Sequence, residues 1–85
     1  KYALNEMTRL LAKQLAPNIR VCGIAPGLLL KSPDISQEDW DRLAARVPME
    51  SAGEVSALLA TIDLLTGNNY ITGETITLNG GASLG

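Results

Sequence analysis

The stretch of this chain with the clearest means to position a ligand surrounds one dipeptide, Pro26-Gly27. Ahead of it runs Ile19-Arg20-Val21-Cys22-Gly23-Ile24-Ala25, apolar and partly β-branched with a single charge. That pattern predicts a strand buried on both faces, which need not alternate polar and apolar residues. Pro26 offers no N–H to a ladder and Gly27 tolerates backbone angles closed to other residues, so the strand is expected to stop there. In an open parallel sheet, ligands bind outside the carboxyl ends of the strands. Binding is therefore expected at Pro26, Gly27 and the loop that follows. That loop begins Leu28-Leu29-Leu30 and continues Lys31-Ser32-Pro33-Asp34. Three consecutive leucines in a loop need a cover, either neighbouring structure or a ligand for which they form a wall.

The other reactive residue types are less informative. Cys22 lies mid-strand among apolar neighbours and reads as a small buried hydrophobe. Glu6 and Glu74 have no evident acid–base partner, and the carboxylates as a set look like a solvated surface. By periodicity alone, Lys1 is a solvated lysine at a helix start, where the helix dipole slightly disfavours it. Trp40 falls at helical spacing with Leu43, Ala44 and Val47, as a core side chain would.

The elements that must position these residues follow from pattern and punctuation. Lys1–Ala16 predicts a helix of good helix formers, with Leu4, Met7, Leu11 and Leu15 in one stripe widened by Ala3 and Leu10. Pro17 stops it, and Pro17-Asn18 connects tightly into the strand. A short helix is expected from about Ser36, a suitable N-cap with Gln37, Glu38 and Asp39 in the first turn, ending at Pro48. It reads as a surface helix, of a kind also used as a lid over a site. Ser51-x-x-Glu54 reads as a capping box ahead of Val55, Leu58, Leu59, Ile62 and Leu65, a helix that Gly67 ends. After Asn68-Asn69 and Tyr70-Ile71-Thr72-Gly73, Glu74–Leu78 predicts a second strand with Asn79-Gly80-Gly81 as its exit turn. Strands joined by helical crossovers pair in parallel.

Composition bounds what such a unit can be. The chain has 85 residues, which allows at most one small domain, and 46% are hydrophobic, as in packed globular sequence. Seven Lys and Arg are scattered along a chain of net charge −2, so nucleic acid and anionic membrane surfaces are not expected partners. No apolar run approaches the length of a membrane span. One cysteine and no histidine leave no internal disulfide and no usual zinc ligand set, and the reducing cytoplasm is the expected compartment. Two strands make no stable sheet, and these need covering on two faces. The chain also begins at Lys1, without a Met and directly in a helical pattern. More chain, or a partner chain, is expected to bury its surface.

The order of these signals resembles the C-terminal part of the short-chain dehydrogenase/reductase family over nearly the whole chain. Lys1-x-Ala3-Leu4 is similar to the end of that family's Tyr-x-x-x-Lys helix. Leu15-Ala16-Pro17-Asn18-Ile19-Arg20-Val21 is similar to its helix end and next strand, Ile24-Ala25-Pro26-Gly27 to its Pro-Gly loop. Tyr70-Ile71-Thr72-Gly73 and Asn79-Gly80-Gly81 resemble its last strand and closing turn. Pro26-Gly27-Leu28, Trp40, Val47-Pro48, Ala52-Gly53-Glu54-Val55 and Gly80-Gly81-Ala82-Ser83-Leu84 look most like pteridine and dihydrofolate-type reductases. Cys22 stands where the family usually has Asn, and Asn79 where it has Asp. Leu28-Leu29-Leu30-Lys31 replaces a stretch that often carries a Thr, leaving backbone contacts to the cofactor.

The resemblance implies an α/β fold: the C-terminal part of a Rossmann-like doubly wound parallel sheet, incomplete on its own. Residues 1–85 would be the C-terminal segment of a single domain, with residues 28–50 as its substrate loop. It implies an NADP or NAD oxidoreductase, NADP if of the pteridine type, that moves hydride between nicotinamide and a C=N or C=O substrate such as a pteridine. The alternatives are a carbonyl reductase for acyl, sugar or steroid-like substrates, and a non-catalytic oligomerisation or binding module. Lys1 would be the family lysine, lowering the pKa of a Tyr one turn upstream and bonding the nicotinamide ribose. Pro26, Gly27, Leu28 and Leu29 would lie along the nicotinamide, and Leu30 to Val47, with Trp40, would form the substrate flap. The glycine-rich phosphate loop and the catalytic Ser and Tyr would precede Lys1, so the 85 residues alone are expected to be inactive. The expected partners are that N-terminal Rossmann portion, a small-molecule substrate, and copies of the chain in a dimer or tetramer, with no metal.

Overall fold

The computed structural model describes residues 2–84, in the order α1 (Tyr2–Leu15), β1 (Gly23–Pro26), α2 (Gln37–Ala45), α3 (Val55–Gly67) and β2 (Thr75–Leu78), closed by a 3₁₀ turn at Ala82–Leu84. β1 and β2 pair in parallel, with Gly23 opposite Thr75 and Pro26 opposite Leu78. The crossover through α2 and α3 makes this an α/β arrangement, as the alternation of signals predicts.

β1 is shorter than the apolar run that suggested it. The ladder opens at Gly23 N–H to Glu74 O (2.9 Å), just after Gly73, whose φ of 77° lies outside the extended region a strand needs. Residues 20–22 are held by other bonds. Val21 donates to Thr72 Oγ1 (3.1 Å), and Gly73 N–H donates to Val21 O (2.8 Å). The Ile71-Thr72-Gly73 stretch thus staples the sheet where no ladder forms. β1 ends at Pro26, as expected, and Gly27 N–H makes one more bond across, to Leu78 O at 2.9 Å. Successive residues of a strand turn their backbone groups to opposite edges. Gly23 and Gly27 face β2, so Ile24 and Pro26 face the other edge, where Pro26 has no bond to lose. The expected burial on both faces is not reached: Gly23–Ala25 are half-buried and Ile19 is exposed.

The face that α1 turns inward also differs from the leucine stripe. Thr8 and Ala12 are buried, while Leu4, Met7 and Leu10 are more than half exposed, at 66%, 57% and 58%. Small residues meet glycines at this contact. A Cβ at Gly23 would sit 3.5 Å from Thr8 Oγ1, and one at Gly73 3.5 Å from Ala12 Cβ. The large apolar stripe remains uncovered among the described residues. The radius of gyration, 15.1 Å, exceeds the roughly 12 Å of a compact domain of this length. No helix among the described residues is long and apolar enough to cross a membrane.

One charge does close a helix. α3 has no basic residue in its own last turn. Arg20 supplies the cation from across the fold, its Nη1 donating to Leu65 O (2.8 Å) and Ile71 O (3.2 Å) and its Nη2 to Thr66 O (3.4 Å). Leu65 and Thr66 offer carbonyls that a helix end leaves without internal partners, and Ile71 lies in the segment that follows the helix. Replacing Arg20 by Met in the complete protein is expected to lower its stability by about 1–2 kcal/mol. Arg20→Lys should recover only part, since one ammonium cannot span three carbonyls. Denaturant midpoints check this; an Arg20→Met protein as stable as its parent would refute the clamp.

Candidate functional site

Both strands end side by side, at Pro26 and Leu78, and what leaves them forms the site. From β1 come Gly27, Leu28 and Leu29; from β2, Asn79-Gly80-Gly81. Gly27 is required by close approach, since a Cβ there would lie 2.7 Å from Asn79 Cβ and 2.9 Å from its Cα. Asn79 Oδ1 accepts from Gly81 N–H (3.1 Å), and its Nδ2 donates to Ser83 Oγ (3.2 Å), which folds the exit turn back on itself. Gly80 and Gly81 have φ of 62° and 89°, where side chains are strained.

The flap leaves this rim and returns to it. Ser36 caps α2, its Oγ accepting from Asp39 N–H at 3.1 Å, with Glu38 and Asp39 in the first turn, as the residue order predicts. Ala44 and, beyond the helix, Val47 are buried, and Trp40 is half-buried. After Val47 the chain turns sharply at Glu50, a non-glycine residue with φ of 57°. Two long-range bonds then fasten it: Met49 N–H to Gly80 O (3.0 Å) and Gly53 N–H to Leu28 O (2.7 Å). Segment 49–53 is thereby wedged between the exits of the two strands.

That wedge overturns the capping box. α3 begins at Val55 with Glu54 as N-cap, and no side chain caps it. Ser51 Oγ donates instead to Met49 O (3.4 Å), and the Glu54 carboxylate accepts from Ser56 Oγ (3.3 Å). With Gly53 bonded to Leu28, the chain stays extended until Glu54.

Between these segments lies a cavity of about 320 Å³, walled by Leu28, Leu29, Val47, Met49, Gly53, Ala57 and Leu78, with Ser51, Thr77 and Asn79 as its polar side chains. Its size fits a small-molecule site. No titratable side chain among the described residues lines it. It can shelter an apolar or flat group, and its own walls supply no proton.

Of the residues singled out by sequence, Leu28 and Leu29 form part of the wall. Pro26 and Gly27 lie at its edge without lining it. Val47 is the one flap residue that reaches it; Trp40 does not. Lys1 lies outside the described residues. Met49 falls within the expected substrate loop, 28–50, whereas Ser51, Gly53, Ala57 and Thr77 were given no place in the site by sequence reasoning. Only the crowding of Gly53 next to a supposed cap offered a signal.

Residues 1–83 match the family model for Enoyl-(Acyl carrier protein) reductase. A "small-chain dehydrogenase" solved in complex with NADPH superposes with a TM-score of 0.84 at 36% identity, over 99% of this chain and 41% of that one. The chain belongs to the short-chain dehydrogenase/reductase family. Within it, the "FolM Alternative dihydrofolate reductase 1" of Brucella suis, solved with NADP, superposes with a TM-score of 0.91 at 40% identity, covering 99% of this chain and 34% of that one. "Dihydromonapterin reductase" of Escherichia coli O6:K15:H31 (strain 536 / UPEC) is 32% identical over 84 residues, 99% of this chain and 35% of that protein. The likeness to pteridine and dihydrofolate-type reductases is borne out. So is the fold class, part of a Rossmann-like doubly wound sheet. The chain spans about a third of the length of these short-chain reductases.

Proposed function

We propose that residues 1–85 are the C-terminal segment of one Rossmann-fold domain in an NAD(P)-dependent short-chain reductase acting on a pteridine, with NADP as cofactor. The observation that carries this reading is the rim itself: two parallel strands end together and open on an uncharged, largely apolar cavity walled by Leu28 and Leu29. Its fit to a nicotinamide is chemical. The amides of Leu28 and Leu29 donate to no acceptor among the described residues, so they are free to orient a carboxamide. The two side chains can keep one ring face dry.

When bound, the reduced nicotinamide supplies the hydride to a C=N or C=O carbon. Pro26 and Gly27 set the direction of the loop, and Leu28 and Leu29 hold and desolvate the ring. Lys1 would bond the ribose hydroxyls and depress the pKa of a tyrosine one turn upstream, which protonates the substrate heteroatom. The flap, Leu30 to Val47 with Trp40, would close over the substrate. The N-terminal Rossmann portion, a symmetric dimer or tetramer and a cytoplasmic location complete the reading.

The test is the complete protein, mixed with NADPH and a dihydropterin, or with NADPH and a long-chain ketone. Loss of the reduced-nicotinamide absorbance with the dihydropterin alone supports the proposal. Turnover of the ketone alone would move the enzyme to the carbonyl reductases. No change in NADPH fluorescence on mixing, with a residue other than Tyr four before Lys1, would leave a non-catalytic binding module.

A further inference from the structure

Gly53 is bound to the loop after β1 twice over. Its N–H donates to Leu28 O at 2.7 Å. A Cβ built on it overlaps Leu29 Cδ2 and comes within 3.6 Å of Leu28 O. Its backbone does not demand glycine, since it is absent from the positive-φ residues. What demands glycine is Leu29. Gly53 and Leu29 line the same cavity, as does Leu28, whose carbonyl accepts the Gly53 bond. The overlapping atom is the free end of a flexible side chain, so a methyl at position 53 is accommodated when Leu29 leaves its rotamer for another staggered one. The backbone bond to Leu28 can stay.

We propose that Gly53 is a positioning residue for the cofactor wall: the missing side chain at 53 lets Leu29 lie back against segment 49–53, and this fixes where Leu29 stands beside the ring. The inference rests on the reading above that Leu28 and Leu29 lie along the nicotinamide. It adds a residue from the α2–α3 connection, which acts through the Leu29 side chain.

The experiment is a double-mutant cycle in the complete protein, read by NADPH fluorescence on binding. Gly53→Ala is expected to raise the NADPH dissociation constant about tenfold, the scale of one misplaced methyl group in an apolar pocket. Leu29→Ala should weaken binding by itself. In the Leu29→Ala background, Gly53→Ala should add less than about twofold, because the atom it displaces is gone. Equal effects of Gly53→Ala in both backgrounds, or none in the parent, would overturn the inference while leaving the site reading intact. A Leu29→Ala protein that binds NADPH as its parent does would overturn the site reading, and the inference with it. If Gly53→Ala fails to fold, the double variant decides: recovery of folding on removing the Leu29 side chain supports the coupling, and continued failure refutes it.

Discussion

In the proposed reductase, Lys1→Met of the complete protein is expected to lower kcat/KM by about 10²–10⁴-fold, the range that general acid catalysis supplies. In the proposed site the proton donor is a phenol one turn upstream of Lys1, on the same helix face. A free phenol has a pKa of about 10 and gives up its proton poorly at neutral pH. A cation about 5 Å away, at an effective dielectric of ~20, favours the phenolate by roughly 3 kcal/mol, or about 2 pKa units. The sign follows: the ammonium stabilises the charged form, so removing it raises the phenol's pKa. The limb of the pH–rate profile that reports the tyrosine should therefore move up by about 2 units in Lys1→Met. Lys1→Arg keeps the charge and should hold that limb close to its parent position, while losing part of the rate through a poorer fit to the ribose hydroxyls. Steady-state kinetics across pH, with a circular dichroism spectrum to show each variant folded, check both expectations. A Lys1→Met enzyme with its parent's rate and profile would remove Lys1 from the chemistry.

The isolated 85-residue chain should show no cooperative unfolding transition. Among the described residues the buried apolar ones are Ala12, Ala44, Val47 and Leu65, and no large side chain is fully buried. Leu4, Met7, Leu10, Leu59 and Leu64 are each more than half exposed on α1 and α3. Ordering each residue costs roughly 1–2 kcal/mol in backbone entropy, which so small a core cannot offset. Two paired strands do not constitute an independently stable sheet, and the Ile24 edge of β1 has no strand beside it among the described residues. In a longer chain or an oligomer, a further strand and the partners of α1 and α3 would supply the missing burial. Urea and thermal titrations followed by circular dichroism, on material shown to be monomeric, check this. A sharp two-state melt of the monomer would falsify it.

The α2 cap and the α1 face show how differently the two kinds of information were encoded. Ser36 could be read as a cap because its partner, the Asp39 amide, is three residues away. The parallel pairing of β1 and β2 was readable from the alternation of strand and helix signals. The family motifs were readable too, since Pro26-Gly27, Ile71-Thr72-Gly73 and Asn79-Gly80-Gly81 stand in order along the chain. The Ser51-x-x-Glu54 box was as good a local pattern as Ser36 and failed. Gly53 N–H is committed to Leu28 O, and Met49 N–H to Gly80 O. Those bonds hold the segment extended, and local helix preference gives way. On α1, the leucine stripe was legible in the sequence, but the face that packs inward was not. Thr8 and Ala12 form it, because Gly23 in β1 and Gly73 just before β2 admit a close contact that bulky leucines would prevent.

Taken by itself, the amino-acid order determined the element types, the strand-ending dipeptide, the family and the leucines at the rim. These depend on neighbours within about one helical turn, or on motifs readable in a line. Tertiary structure alone decided which face of α1 is covered, where α3 begins, and that Gly53 and Leu29 share a wall. It also decided that Arg20 closes a helix whose carbonyl lies 45 residues further along the chain. Contacts at that separation leave no periodic trace, because they are chosen by shape and hydrogen bonding once the strands have paired.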